Sequence, residues 1–251
     1  MSRGMRIALI VVIVIVVVVL IGVVGFVIWA SDAAQPMPEA LAALEDTDQV
    51  DVSQQNGWWV FTPTGDIADA GFIFYPGGKV DARAYAPLAQ DVAEAGYRAV
   101  IVQMPLNLAV FGINLASGVR EAFPDTADWV IGGHSLGGAM ASSYAASNDD
   151  VIDGLALLAS FPASDISAAG LAVSSIYGTL DGLSTLDSID ASRPNLPADT
   201  VFVRIDGGNH AQFGWYGPQS GDNPATISHE EQQALTSAAV IDLMARVDAA
   251  P

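Results

Sequence analysis

Ser135 stands in Gly133-His134-Ser135-Leu136-Gly137, between an apolar run opening at Trp129 and a small-residue segment of helical character. In a strand–turn–helix setting, this G-x-S-x-G pattern holds the serine hydroxyl clear of the backbone, and the flanking small residues let strand and helix close on each other. A serine hydroxyl is a poor nucleophile until a base takes its proton, and that base needs an acceptor to hold its tautomer. The chain has three histidines. His134 lies on the wrong side of the turn, and His229 opens the closing helical segment as a cap or surface residue. That leaves His210, in Gly207-Gly208-Asn209-His210, as the base. Asp181, in Thr179-Leu180-Asp181-Gly182, is the favoured acid and gives the chain order Ser, Asp, His. Asp187 and Asp190 lie farther along, and Asp206, just before the base, is the rival. The chemistry expected is acyl transfer to water. Its oxyanion would be met by the Leu136 amide at a helix start and by the Gly78 amide in Pro76-Gly77-Gly78-Lys79, with Lys79 as the alternate donor.

These groups need a sheet whose strand ends converge. Strands are expected over residues 56–62, 70–75, 98–104, 128–132, 151–159, 171–177 and 200–205, and helices over 84–95, 107–122 (broken or bent at Gly112 and Gly118), 136–147, 184–192 and 228–249. The strand segments are apolar throughout rather than alternating, which indicates a mostly parallel twisted sheet with helices on both faces. Ligand groups in such sheets sit on loops beyond the carboxyl ends of the strands, where Gly78, Ser135, Asp181 and His210 fall. Met104, Leu106 and Phe111 follow one strand, and Phe213 and Trp215 follow the base; these five, with Lys79, are expected to line the substrate pocket. Little or no lid is expected, because no long insertion interrupts the series.

Ile7–Ala30 carries no charge and is dominated by Val and Ile. Its length suits one bilayer crossing as a tilted helix. Arg3 and Arg6 precede it, and Asp32 and Glu39 follow, which predicts a cytoplasmic N-terminus and an extracytoplasmic domain. A secretory signal cleaved near Ser31-Asp32-Ala33 is the competing reading, and either one exports the domain. The organisation expected is therefore an anchor at residues 1–30, an Ala/Pro/Glu-rich tether at 31–52 with a short helix from Pro38, and one domain at 53–251. Beyond residue 30 stand seven basic against 28 acidic residues, hence −21. Such a surface argues against nucleic-acid binding. With no cysteine, thiolate chemistry is excluded, and neither a metal nor another cofactor is expected.

Four segments also resemble a known group: Tyr75–Asp81 (YPGGKVD), Tyr85–Ala89 (YAPLA), Gly132–Gly138 (GGHSLGG) and Gly208–Gly214 (GNHAQFG). Together they are similar to an alpha/beta-hydrolase subfamily distantly related to dienelactone hydrolases, over roughly residues 56–248. The resemblance implies Ser135 as nucleophile, Asp181 as acid and His210 as base. Dienelactone hydrolases proper use cysteine where this chain has Ser135, so their lactone substrate does not transfer. The expected function is a carboxylesterase acting on small or medium esters. The alternatives are an amidase or peptidase with the same triad, and a non-catalytic membrane-tethered binding protein on the same fold.

Overall fold

In a computed structural model, which describes residues 2–249, eight strands form one sheet in the order β1-β2-β4-β3-β5-β6-β7-β8. The strands are β1 (Val50–Gln55), β2 (Trp58–Pro63), β3 (Ala70–Tyr75), β4 (Arg98–Val102), β5 (Asp128–His134), β6 (Gly154–Leu158), β7 (Ala172–Gly178) and β8 (Val201–Ile205). From β4 to β8 neighbours pair in parallel, while β2 runs antiparallel to both β1 and β4. Helices α1 (Arg3–Ser31), α2 (Pro38–Ala42), α3 (Ala86–Glu94), α4 (Leu115–Ala122), α5 (Leu136–Ser147), α6 (Leu186–Ser192) and α7 (His229–Asp248) complete the chain.

The apolar strand runs have a direct cause: both sheet faces are covered. Phe72 and Phe74 of β3 pack with Leu88 and Val92 of α3 and Val240 and Leu243 of α7 on one face. The alternating Ile73 and Tyr75 pack with Val119 of α4 and with Ala141 and Tyr144 of α5 on the other. Every residue of β3 is buried, as the period of two requires when neither face meets water.

Three expectations change. The segment 31–52 is not a loose tether. Ala34 pairs with Val80, Met37 N–H donates to the Trp215 carbonyl, Ala40 and Val50 are fully buried, and β1 precedes the strand expected to come first. The helix expected over 107–122 begins only at Leu115; residues 105–111 form two short 3-10 turns. Leu106 and Asn107 adopt φ of 53° and 55°, a left-handed geometry that an α-helix cannot absorb. The domain's first long helix begins at Ala86 rather than Ala84, after a 3-10 turn at Ala82–Tyr85.

At the junction of β5 and α5 the glycines are required by contact. A Cβ on Gly137 would drive into the carbonyl oxygens of Tyr75 and Pro76, and one on Gly133 would meet the Gly137 and Gly138 backbone. Both obstacles are main chain and cannot rotate away. Gly137→Ala is therefore expected to destabilise the domain by about 3 kcal/mol, read as a lowered urea midpoint at unchanged m-value.

Helix α1 is long and apolar enough to cross a membrane, with mean hydropathy of 3.8 over 18 residues. Only Ala30, in its last turn, is buried against the domain. The last two turns rest on the loop after β4: Asn107 Nδ2 donates to the Ala30 carbonyl, and the Phe26 and Phe111 rings meet edge to face.

Candidate active site

The turn between β5 and α5 holds Ser135 at φ 52° and ψ −120°, a strained geometry for a residue with a side chain. Its backbone is pinned from three directions: Ser135 N–H donates to the Leu158 carbonyl, and its own carbonyl accepts from Ala139 N–H and Ser160 Oγ. The hydroxyl pairs with no group among the described residues, and the side chain is half-buried. Strain held this firmly is the usual mark of a residue presented for use rather than for packing.

Asp181 follows β7 and His210 follows β8, the adjacent strand. Thr179 N–H donates to the Ile205 carbonyl, Leu180 N–H to the Gly208 carbonyl, and Gly207 N–H to Thr179 Oγ1, lacing the two loops together. Gly178 has no room for a Cβ because the Gly208 backbone occupies that space. Within this frame, Asp181 Oδ1 accepts from the Leu183 and Ser184 amides at 2.8 and 2.6 Å. Its other oxygen, Oδ2, lies 2.8 Å from His210 Nδ1, and both side chains are buried. An acceptor-only carboxylate at Nδ1 puts the proton there and leaves a lone pair on Nε2. Nε2 is buried and has no hydrogen-bond partner among the described residues. The rival Asp206 is exposed and pairs with Arg204, at 2.7 Å.

The His210 ring lies 4.4 Å, centroid to centroid, from that of His134, the neighbour of Ser135. The loop carrying His210 and the serine turn therefore touch through His134, whose side chain is buried. Burial drives the His134 pKa well below its ordinary value, helped by repulsion from His210 and opposed by the His210 backbone. The Tyr85 hydroxyl accepts from Gly77 N–H at 3.0 Å and lies 2.9 Å from His134 Nδ1, to which it can then donate. Tyr85 thereby ties the loop after β3 to the serine turn.

Gly78 sits in that loop, so close to Leu136 that a Cβ on it would lie 3.0 Å from Leu136 Cδ2. Neither the Gly78 nor the Leu136 amide is committed to an acceptor within the described residues. Lys79 is different: its N–H donates to the Asn107 carbonyl at 2.8 Å, so it cannot serve as the alternate oxyanion donor. Its ammonium stands over the Trp29 ring, 4.6 Å from the centroid, not over the serine.

Two of the expected pocket residues are placed otherwise. Phe213 is fully buried and stacks on His134, so it backs the site rather than walling it. Trp215 is buried against His229, ring planes 6° apart. Phe111 is 54 % exposed on the rim beside α1. Met104 is buried beneath the same loop, and Leu106 is half-buried there.

Three residues position these loops; Tyr85 opens the YAPLA segment quoted above, while Asp222 and Gln232 carry no such signal. Besides Tyr85, Asp222 accepts from Gly182 N–H through Oδ1 and from Ala211 N–H through Oδ2, clamping the acid loop to the base loop. Gln232 of α7 is fully buried and makes two bonds to the backbone of Asn209, accepting from its N–H and donating to its carbonyl. No group of three metal-ligating side chains occurs among the described residues.

Tyr85→Phe keeps the ring but removes the acceptor from a buried amide. It is expected to cost about 1–3 kcal/mol of stability and to lower kcat about tenfold at near-constant KM, as a displaced Gly78 amide loses its aim. Unfolding curves and steady-state rates together check it.

Solved structures share this architecture. An alpha-beta serine hydrolase homologue from Coxiella burnetii is 17 % identical with a TM-score of 0.53, covering 77 % of this chain and 98 % of its own. The esterase domain of a Rhodothermus marinus protein is 12 % identical with a TM-score of 0.59, covering 80 % of this chain and 98 % of its own. At such identities the likeness is one of fold. No curated protein matches the chain. The profile of the alpha/beta hydrolase family, however, matches residues 71–234, which takes in Ser135, Asp181 and His210, and the chain belongs to that family.

Proposed function

We propose that the chain is a serine carboxylesterase, with Ser135 as nucleophile, His210 as base and Asp181 as the acid that orients it. The observation that carries this reading is the His210 ring: Nδ1 is held on a buried carboxylate, Nε2 is unpaired, and the serine turn lies beside it. In the first half-reaction Nε2 takes the Ser135 proton as Oγ attacks the ester carbonyl. The Gly78 and Leu136 amides receive the negative oxygen, each worth about 3–4 kcal/mol in the transition state. Collapse breaks the acyl carbon–oxygen bond, and the imidazolium returns its proton to the leaving alcohol. Water then attacks the acyl-enzyme by the same route, giving a carboxylic acid and free Ser135. Apo hydrogen bonds between nucleophile and base are commonly long and close only with substrate bound.

The proposal includes an extracytoplasmic domain held by α1 as an uncleaved anchor, on the strength of Arg3 and Arg6 before the helix and Asp32 after it. The test is a set of p-nitrophenyl esters and matching anilides, run with full-length protein in detergent beside labelling by a fluorophosphonate. Ester turnover with labelling at Ser135 is expected. Anilide turnover at a comparable rate moves the reading to an amidase, and folded protein that resists the fluorophosphonate overturns it.

A further inference from the structure

The carboxyl edge of the sheet differs from the rest of the surface in both charge and polarity. Among the described residues, ten large apolar side chains outside α1 are exposed, and six of them lie on this edge: Val110, Phe111, Leu115, Phe161, Leu183 and Leu186. Of the segments that build it, residues 103–119, 159–164, 182–186 and 207–221 contain no Asp, Glu, Lys or Arg, and the loop after β3, residues 76–85, adds Lys79, Asp81 and Arg83, of which the last two pair with each other. The opposite edge is acidic. Residues 64–69, 123–128 and 148–153, which lead into β3, β5 and β6, carry seven acidic residues and no basic one. A domain of charge −21 thus presents one nearly neutral, apolar end, and the candidate active site opens there.

Helix α1 reaches the domain at that same end. Its last two turns touch Phe111 and Asn107, and Trp29 lies under the ammonium of Lys79, the one lysine in the chain. A tryptophan capped by a lysine is the usual furnishing of a bilayer interface. After α1 only Asp32 and Ala33 intervene before Ala34 pairs with Val80. Even fully extended, residues 31–33 reach about 10 Å, so the domain cannot swing away from the membrane surface. A groove of about 520 Å³ is lined by Trp29, Asp32 and Lys79 together with Gly78, the candidate oxyanion donor, and Tyr216.

We infer that the carboxyl edge of the sheet lies against the bilayer that holds α1, and that the site hydrolyses long-chain esters dissolved in that bilayer, entering along the groove that Trp29 and Gly78 line. The inference about substrate rests on the esterase reading above; the docking does not. Apolar rim residues enter the headgroup region, and the acidic edge is kept farthest from anionic headgroups, which repel it.

The test uses full-length protein in phosphatidylcholine vesicles. Because the chain has no cysteine, an environment-sensitive dye can be placed singly through Val110→Cys, Phe161→Cys and, on the acidic edge, Asp149→Cys. Dyes at 110 and 161 should shift to the blue and be quenched at least twofold by spin-labelled acyl chains, while the dye at 149 should not respond. Equal behaviour at all three sites overturns the docking. In the second arm, Val110→Asp combined with Phe161→Asp should slow hydrolysis of a vesicle-embedded long-chain ester at least tenfold. Its rate on a water-soluble butyrate ester should stay within twofold, which also reports that the protein is folded. A parallel fall on both esters, or no fall on either, overturns the assignment of substrate. If the parent cleaves neither ester, the esterase reading falls and takes the substrate class with it, while the dyes still decide the docking.

Discussion

Ser135→Ala is expected to lower kcat on a soluble p-nitrophenyl ester by about 10⁴- to 10⁶-fold with no comparable change in stability. The two halves of that expectation have separate physical grounds. The hydroxyl makes no hydrogen bond among the described residues, so deleting it orphans no partner there. The bonds that hold the turn, to Leu158, Ala139 and Ser160, are all made by the Ser135 backbone and survive the change. Alanine tolerates φ of 52° about as poorly as serine, so the strain is nearly the same in both proteins. The urea midpoint should therefore correspond to a change within about 0.5 kcal/mol, and loss of rate can be assigned to loss of the attacking oxygen. Rate remaining above background would come from water attacking a carbonyl still polarised by the Gly78 and Leu136 amides. A variant that keeps more than a hundredth of the parent rate would remove Ser135 from the role of nucleophile.

The sequence shows this site unevenly, and the reason lies in how each part is held. Ser135, Asp181 and His210 can be nominated from the sequence because each lies just after a strand, where a parallel sheet collects its functional loops, and because residue type limits the choice of base to three histidines. The choice between Asp181 and Asp206 turns on what the sequence does not display: the lacing of two loops that aims one carboxylate inward and leaves the other paired with Arg204 in solvent. Residues 105–111 have helical composition, and only the left-handed turns at Leu106 and Asn107 reveal otherwise. The stretch after α1 has the composition of a linker yet is seated by a few backbone contacts, such as Ala34 with Val80, that composition cannot report. The positioning roles of Tyr85, Asp222 and Gln232 escape for a further reason, although Tyr85 itself opens one of the four resembling segments. Each acts on main-chain groups of distant loops, at separations from 8 to 40 residues, and a side chain bonded to backbone leaves no partner residue type to search for.

Asp181, the proposed acid, offers the second large effect, because the structure dictates which way a substitute would face. In Asp181→Asn the side-chain oxygen should stay with the Leu183 and Ser184 amides, since only an acceptor satisfies those two donors. The amide nitrogen is then turned toward His210 Nδ1, which must accept a hydrogen bond instead of donating one. The ring proton moves to Nε2, and the imidazole has no lone pair there with which to take the Ser135 proton. The expected loss is about 10⁴-fold in kcat with little change in KM, since the misplaced proton blocks chemistry and not binding. The control is Asp206→Asn, which breaks an exposed ion pair worth about 0–1 kcal/mol and should leave kcat within twofold. Comparable losses in the two variants, or an Asp181→Asn enzyme within tenfold of the parent, would mean that the carboxylate behind His210 does not set its tautomer. Fluorophosphonate labelling of the same pair gives an independent check: the Asp206 variant should react at the parent rate and the Asp181 variant far more slowly, because labelling needs the base and no leaving alcohol.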